Sequence, residues 1–249
     1  MIDWLIQQQY ALSLVLLALI VMEQFFTRKL GISMAYKLWA LVPITLLLNN
    51  LPQRAVPIAV ESYSRFIVGL SPSIEVEQTD VGLTVWALGA ALLSCCIIAS
   101  HVHLHLSVKA TDNKQQDVYY AKAATSPMLF GLIHPKIVVP VNFSSLFNPA
   151  QQALIVEHEN VHRQHADHLW NAIAIGLLVM FWFNPLVWLA LRSFRVNQEL
   201  ACDQTVLRQK NEADKLSYAK ALVQCAEHAS AHNSLYPVFG GKNTLLKRL

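Results

Sequence analysis

Hydrophobic and polar positions divide the chain into a front part of long apolar runs and a back part in which polar residues return at helical spacing. Residues 11–27 are almost continuously apolar, interrupted by Ser13, Glu23 and Gln24, and the run stops at Arg28 and Lys29. A second run, 34–51, has Lys37 near its start and Pro43 inside, with Asn49, Asn50 and Pro52 at its end. The third, 81–101, opens with 20 residues that carry no charge. About 20 apolar residues in a helix cross about 30 Å of hydrocarbon, and about 17 is the lower limit. The pattern therefore predicts three transmembrane helices, at 11–27, 34–51 and 81–101, in a membrane region spanning 1–106.

From 107 onward the pattern changes, and 107–249 reads as a separate domain. Short runs rich in β-formers, punctuated by Pro127, Gly131, Pro135 and Pro140, predict a β-ribbon over about 117–143. Residues 137–141 are the strand expected either to hold an extended substrate by edge pairing or merely to cover the following helix. That helix, 149–167, starts with Asn148 as N-cap, Pro149 in the first turn and Gln151 at the capping-box position. Its apolar residues, Ala153, Leu154, Val156 and Val161, alternate with polar ones, so it is amphipathic rather than membrane-spanning.

The helix carries the run EHENVHRQHADH at 157–168, in which His158, Glu159 and His162 spell HExxH. This spacing puts two imidazoles one turn apart on one face with a carboxylate beside them, which is part of a catalytic zinc site. Catalytic zinc takes three protein ligands and keeps one position open, so a third donor is required. After His168 a greasy stretch runs to Phe183, followed by Asn184, Pro185 and the string NQELACD at 197–203. One straight helix from His162 to Glu199 would separate them by roughly 55 Å. Proline disfavours helix at the residue before it, so Asn184 and Pro185 mark a reversal. A membrane-associated hairpin over 169–196 would return a helix at 197–210 to the histidines and supply Glu199 as the third ligand. Asp203, one turn on, is placed to hydrogen-bond a ligating imidazole. His165 is the candidate fourth donor if the site is structural. The alternating His101, His103 and His105 read as interfacial residues rather than ligands.

At 54% hydrophobic, 14% charged and mean hydropathy +0.37, the chain is too apolar for an ordinary soluble enzyme. The net charge of +3 is scattered, which excludes a nucleic-acid footprint and argues against direct nucleic-acid binding. Cys95, Cys96, Cys202 and Cys225 lack CxxC spacing and read as small buried hydrophobes kept reduced. The N-terminus lacks a basic n-region, so the first segment is expected to remain as an anchor. Arg28, Lys29 and Lys37 flank the first junction, whereas 53–80 holds two arginines against Glu61, Glu75, Glu77 and Asp80. The positive-inside rule then puts the N-terminus outside and the HExxH stretch in the cytoplasm.

Four blocks, SPMLFGLIHPKIVVP, HENVHRQHAD, WFNPLVW and ELACD, occur in that order, and with the preceding spans the chain resembles the BlaR/MecR-type membrane metallopeptidases of bacteria, known for beta-lactam sensing. The resemblance implies a mainly α membrane protein whose transmembrane helices precede a gluzincin-like α+β zinc peptidase domain. It implies one Zn2+ on His158, His162 and Glu199, Glu159 as the base, and Asp167 as a structural partner. It further implies the bacterial inner membrane and a cytosolic protein substrate such as a DNA-binding repressor; a homodimer is one candidate assembly. Better-known members continue into an extracellular sensor, which these residues do not include, so beta-lactam recognition is not expected of them. The function expected is a signalling endopeptidase, with membrane-protein quality control and a non-catalytic receptor scaffold as alternatives. Arg192, Arg195 and His165 are oxyanion candidates by proximity alone.

Overall fold

The computed structural model describes residues 2–51, 81–111, 114–115, 118–231 and 248. Helix α1 (Ile2–Leu30) is 29 residues, about 43 Å long, and begins nine residues before the apolar run from which it was expected. Gly31, at φ +80, ends it in a backbone conformation that residues with a side chain rarely adopt. The second expected span is two helices, α2 (Ile32–Leu38) and α3 (Leu41–Asn49). Pro43 has no N–H to return to the Trp39 carbonyl, and the Val42 N–H reaches it at 3.1 Å, so the chain tightens into a turn there. Helix α4 (Val81–Thr111) runs beyond the expected 101 through all three exposed histidines, of which His101 stacks on Phe130 with ring centroids 4.6 Å apart. The segments 3–25, 32–49 and 81–108 are long and apolar enough to cross a membrane. This is a mainly helical membrane protein.

The expected ribbon is a mixed four-stranded sheet made of β1 (Lys114–Gln115), β2 (Val118–Ala121), β3 (Met128–Phe130) and β4 (Lys136–Pro140), in the order β1-β2-β4-β3. β4 lies parallel to β2 and antiparallel to β3. The expectation that 137–141 offers an edge is therefore corrected: β4 is interior on both sides, and the edge strand packed near the HExxH helix is β3. The polar, proline-punctuated connections did not disclose this order, because strand pairing is decided by partners outside the strand. Ile137, Val138 and Val139 are buried, which explains their unbroken β-branched run.

A short helix, α5 (Phe143–Leu146), leads to α6 (Pro149–Gln164), then α7 (Asp167–Met180), α8 (Pro185–Leu207) and α9 (Glu212–Ala231). The second hairpin leg and the expected third-ligand helix are one continuous helix, α8; the drop in hydrophobicity near 197 marks where it leaves apolar surroundings, not where it ends. The reversal at 181–184 is held by side-chain hydrogen bonds from three other helices and from its own cap. Asn184 caps α8 by accepting from the Leu186 N–H at 2.9 Å, and its amide donates to Ser13 of α1 at 2.9 Å. The freed carbonyls of Met180 and Trp182 accept from the indoles of Trp86 and Trp188 at 2.9 and 2.7 Å. An unpaired backbone group away from water costs free energy comparable to a lost hydrogen bond, and the tryptophans around this turn supply partners. Gly89 of α4 fits under Trp182, where a Cβ would come within 2.2 Å of the ring. Leu12, Leu16, Val187, Leu191 and Phe194 seal α1 against α8.

The loop 53–80, where an external sensing role would fall, lies outside the described residues. Among the four cysteines, all free, the expectation of burial fails for Cys95 and Cys96, which face outward from α4; Cys202 is buried. An apolar run that faces lipid needs no protein cover.

Candidate metal centre

The capping box at the start of α6 is formed in both directions: Asn148 Oδ1 accepts from the Gln151 N–H at 2.9 Å, and Gln151 Oε1 accepts from the Asn148 N–H at 3.1 Å. It fixes where the helix begins and thereby its rotational phase, which turns His158, Glu159 and His162 inward, each less than 9% exposed. α7 is 14 residues, about 21 Å long, and Glu199 lies about the same rise along α8 from Pro185. Equal legs bring Glu199 back level with His162. The hairpin inferred from one Asn-Pro pair thus has the geometry that the third donor needs.

The Nε2 atoms of His158 and His162 are 3.0 Å apart. Glu199 Oε2 is 3.4 Å from His158 Nε2, and its Oε1 is 3.7 Å from His162 Nε2. A tetrahedral ion with bonds of about 2.0–2.1 Å has ligand atoms about 3.3 Å apart, so these three edges have the right size for zinc.

The opposite ring nitrogens determine whether the Nε2 atoms are donors or acceptors. His162 Nδ1 lies 2.6 Å from Asp167 Oδ2. His158 Nδ1 lies 2.8 Å from the Tyr218 hydroxyl, which itself donates to Asp203 Oδ1 at 2.6 Å. Both Nδ1 atoms therefore have an acceptor for a proton, which leaves both Nε2 positions for a metal that displaces any proton held there. Two ring nitrogens and a carboxylate converging at 3.0–3.7 Å suit a cation and little else. His158, His162 and Glu199 are one of two groups among the described residues that could hold a metal; the other, His162, Asp167 and Cys202, shares His162. The second group fits less well, since burial and neighbouring acids push the Cys202 thiol up to about 12.

Electrostatics follow from burial and pairing. Burial raises the Glu159 carboxyl above its ordinary value, and the adjacent imidazoles only partly offset this. Burial works in the same direction at Glu199, but Arg248 and the two histidines outweigh it and hold that carboxyl well below the usual range. At His162 burial opposes the charge, yet Asp167, Cys202 and the two glutamates raise it well above the ordinary imidazole value.

Asp167 sits where it does because Ala166 adopts the left-handed conformation, φ 56 and ψ 34, and breaks α6 from α7. Such a conformation costs a non-glycine residue about 1–2 kcal/mol. Asp203 is bound by Arg248 through two bonds, Nε at 2.7 Å and Nη2 at 2.8 Å, while Arg248 Nη1 reaches Glu199 at 3.0 Å.

Of the remaining candidates, His165 lies beside Cys202, with Nδ1 3.7 Å from Sγ, and in neither metal-capable group. Arg192 is exposed, and Arg195 is within electrostatic reach of Glu199. His101, His103 and His105 belong to no metal-capable group among the described residues. The sequence reading missed Tyr36, Tyr218 and Arg248. Only the ExxxD spacing hinted that Asp203 had a partner to find.

Comparison with known proteins supplies a context for this geometry. The family model described as BlaR1 peptidase M56 matches residues 72–249. The methicillin resistance mecR1 protein of Staphylococcus aureus is 23% identical over 244 residues, covering 80% of this chain and 42% of the relative. The regulatory protein BlaR1 of Bacillus licheniformis is 25% identical over 178 residues, covering 61% of this chain and 30% of the relative. The regulatory protein BlaR1 of Staphylococcus aureus is 26% identical over 138 residues, with coverage of 54% and 24%. The chain spans less than half the length of these curated relatives.

Proposed function

The chain belongs to the BlaR1 peptidase M56 family, and from that membership we propose that it is a membrane-integral zinc endopeptidase of signal transduction, hydrolysing a peptide bond in a cytosolic regulatory protein such as a DNA-binding repressor. The observation that carries this reading is the convergence of His158 Nε2, His162 Nε2 and the Glu199 carboxylate, with an acceptor for a proton at each Nδ1. Three donors leave a position open, as catalysis requires; a closed structural site would use a fourth, and His165 faces Cys202 instead.

A bound Zn2+ supplies Lewis acidity, polarising the scissile carbonyl and activating water at neutral pH. His158, His162 and Glu199 would hold it, and Glu159 takes the proton of the attacking water and returns it to the leaving amine. Burial, by raising the Glu159 carboxyl, makes it a group that can carry a proton between those two steps. Arg248 compensates the charge of Asp203 and Glu199 together. The outer edge of β3, beside α6, offers backbone groups to an extended peptide.

Orientation is supported by a link across the site. Tyr36, five residues beyond the Gly31 break, touches Asp167, which supports a metal-binding face at the membrane surface next to the end of α1 at Arg28 and Lys29. By the positive-inside rule that surface is cytoplasmic. The relatives' names, a regulatory protein and a methicillin resistance protein, favour signalling over general turnover.

The purified Glu159→Ala variant should retain its metal and lose hydrolysis by roughly 10²–10⁴-fold. An unchanged rate would sink the mechanism. Proteomics after induction of wild type and of Glu159→Ala identifies the substrate class: loss of one DNA-binding protein in the wild type only is the expected result, and many membrane-protein fragments would transfer the chain to quality control.

A further inference from the structure

Asp167 is 1% exposed, next to the apolar packing of α1, α2 and α8, and a carboxylate in such a place needs a full set of donors. Its Oδ2 receives His162 Nδ1–H at 2.6 Å and the Cys202 thiol at 3.5 Å. Its Oδ1 receives the Tyr36 hydroxyl. These donors come from α6, α8 and α2, and the last belongs to a segment apolar enough to cross the membrane. The Tyr36 ring is itself held, stacking on Phe194 of α8 at 5.8 Å, while Trp39 meets Phe194 edge-on at 5.8 Å.

We propose that Tyr36 is a positioning residue for the metal site: through Asp167 it fixes the plane and tautomer of His162, and so ties a metal ligand to α2, the first helix of the apolar segment 32–49. The inference rests on the metal-site reading above and adds to it a residue 131 positions from its partner, on an element with no donor of its own to the ion. If the hydroxyl is removed, Asp167 keeps its charge but loses the contact that stops its carboxylate from rotating, and the His162 ring turns with it. Any displacement of α2 relative to α8 would act in the same way. That makes the site responsive to the membrane segments without contact between them and substrate.

Tyr36→Phe isolates the hydroxyl, because the ring and its stacking on Phe194 remain. The full chain in detergent, wild type and variant, is titrated with Zn2+ against a chromophoric chelator, and each is loaded with Co2+ for its visible d–d spectrum. We expect zinc binding weakened roughly tenfold, the lower end of the range for outer partners of metal ligands, and displaced Co2+ bands. Wild-type affinity together with an identical Co2+ spectrum in Tyr36→Phe would overturn the proposal. If that variant does not fold, 3-fluorotyrosine at position 36 strengthens the same hydrogen bond without removing it. Shifted Co2+ bands then support the proposal, and unshifted ones overturn it. A wild-type chain that takes up no Co2+ defeats the metal-site reading itself, whereas an unaltered site in the variant defeats this inference alone.

Discussion

His158 and His162 stand one turn apart on the same helix, yet the two sides of the site that support them are built differently. Behind His158 is a relay within the domain: Tyr218 of α9, Asp203 of α8 and Arg248, linked at 2.8, 2.6 and 2.7 Å. Behind His162 is one buried carboxylate, Asp167, held by Cys202 and by Tyr36 of α2. Both acids are buried, but the first side balances Asp203 with the guanidinium of Arg248. The second has neutral donors, Tyr36 and Cys202, beside the imidazole. On the proposed metal site, affinity for the ion would depend on two parts of the molecule, one of them a segment apolar enough to cross a membrane.

Replacing the two acids in parallel breaks the comparison most sharply. Asp167→Asn should weaken metal binding by roughly 10–100-fold, the range for outer partners of ligating histidines. Asp203→Asn should fall at the lower end of that range, because Arg248 remains paired with Glu199 and the Tyr218 hydroxyl can still accept from His158. Competition titration gives both numbers, and a larger loss for Asp203→Asn would reverse the assignment. A substitution far from the metal tests the membrane side by itself. Gly89→Leu drives a side chain into Trp182 and should lower stability by about 1–3 kcal/mol, read from thermal unfolding, with metal affinity falling in step as the hairpin shifts.

The smallest effect is in pH. In the metal-free chain, His162 is raised, so its contribution is complete below the ordinary imidazole value of 6.5 and disappears as pH rises through the raised value. Glu199 is depressed, so its contribution is present above the ordinary 4.5 and disappears as pH falls through the depressed value. Thermal stability should therefore decline on both limbs. Asp167→Asn should flatten the alkaline limb and leave the acid one, which Arg248 sustains.

The parts of this arrangement that were legible in the sequence are those written in local spacing. HExxH fixes its own geometry once α6 is a helix, and Asn148 with Pro149 and Gln151 says where that helix starts. The reversal at Asn184 was readable because proline acts on its immediate neighbours. Strand order was not readable, and neither was the unity of α8, whose surroundings change while its backbone does not. Tyr218, Arg248 and Tyr36 were invisible for a different reason. They meet their partners over separations of 60, 45 and 131 residues, and a single tyrosine or arginine leaves no period in the chain. Long-range hydrogen bonds to ligands are where sequence pattern runs out and packing takes over.

Three residues from two helices, α6 and α8, are proposed to form one metal site with a separate base, and metal analysis of the purified protein puts this to the test. The expected result is one zinc per chain in the wild type and in Glu159→Ala, and loss of that zinc in both His158→Ala and Glu199→Ala. Full zinc occupancy in Glu199→Ala would contradict it, because the hairpin would then return a residue that the metal does not use.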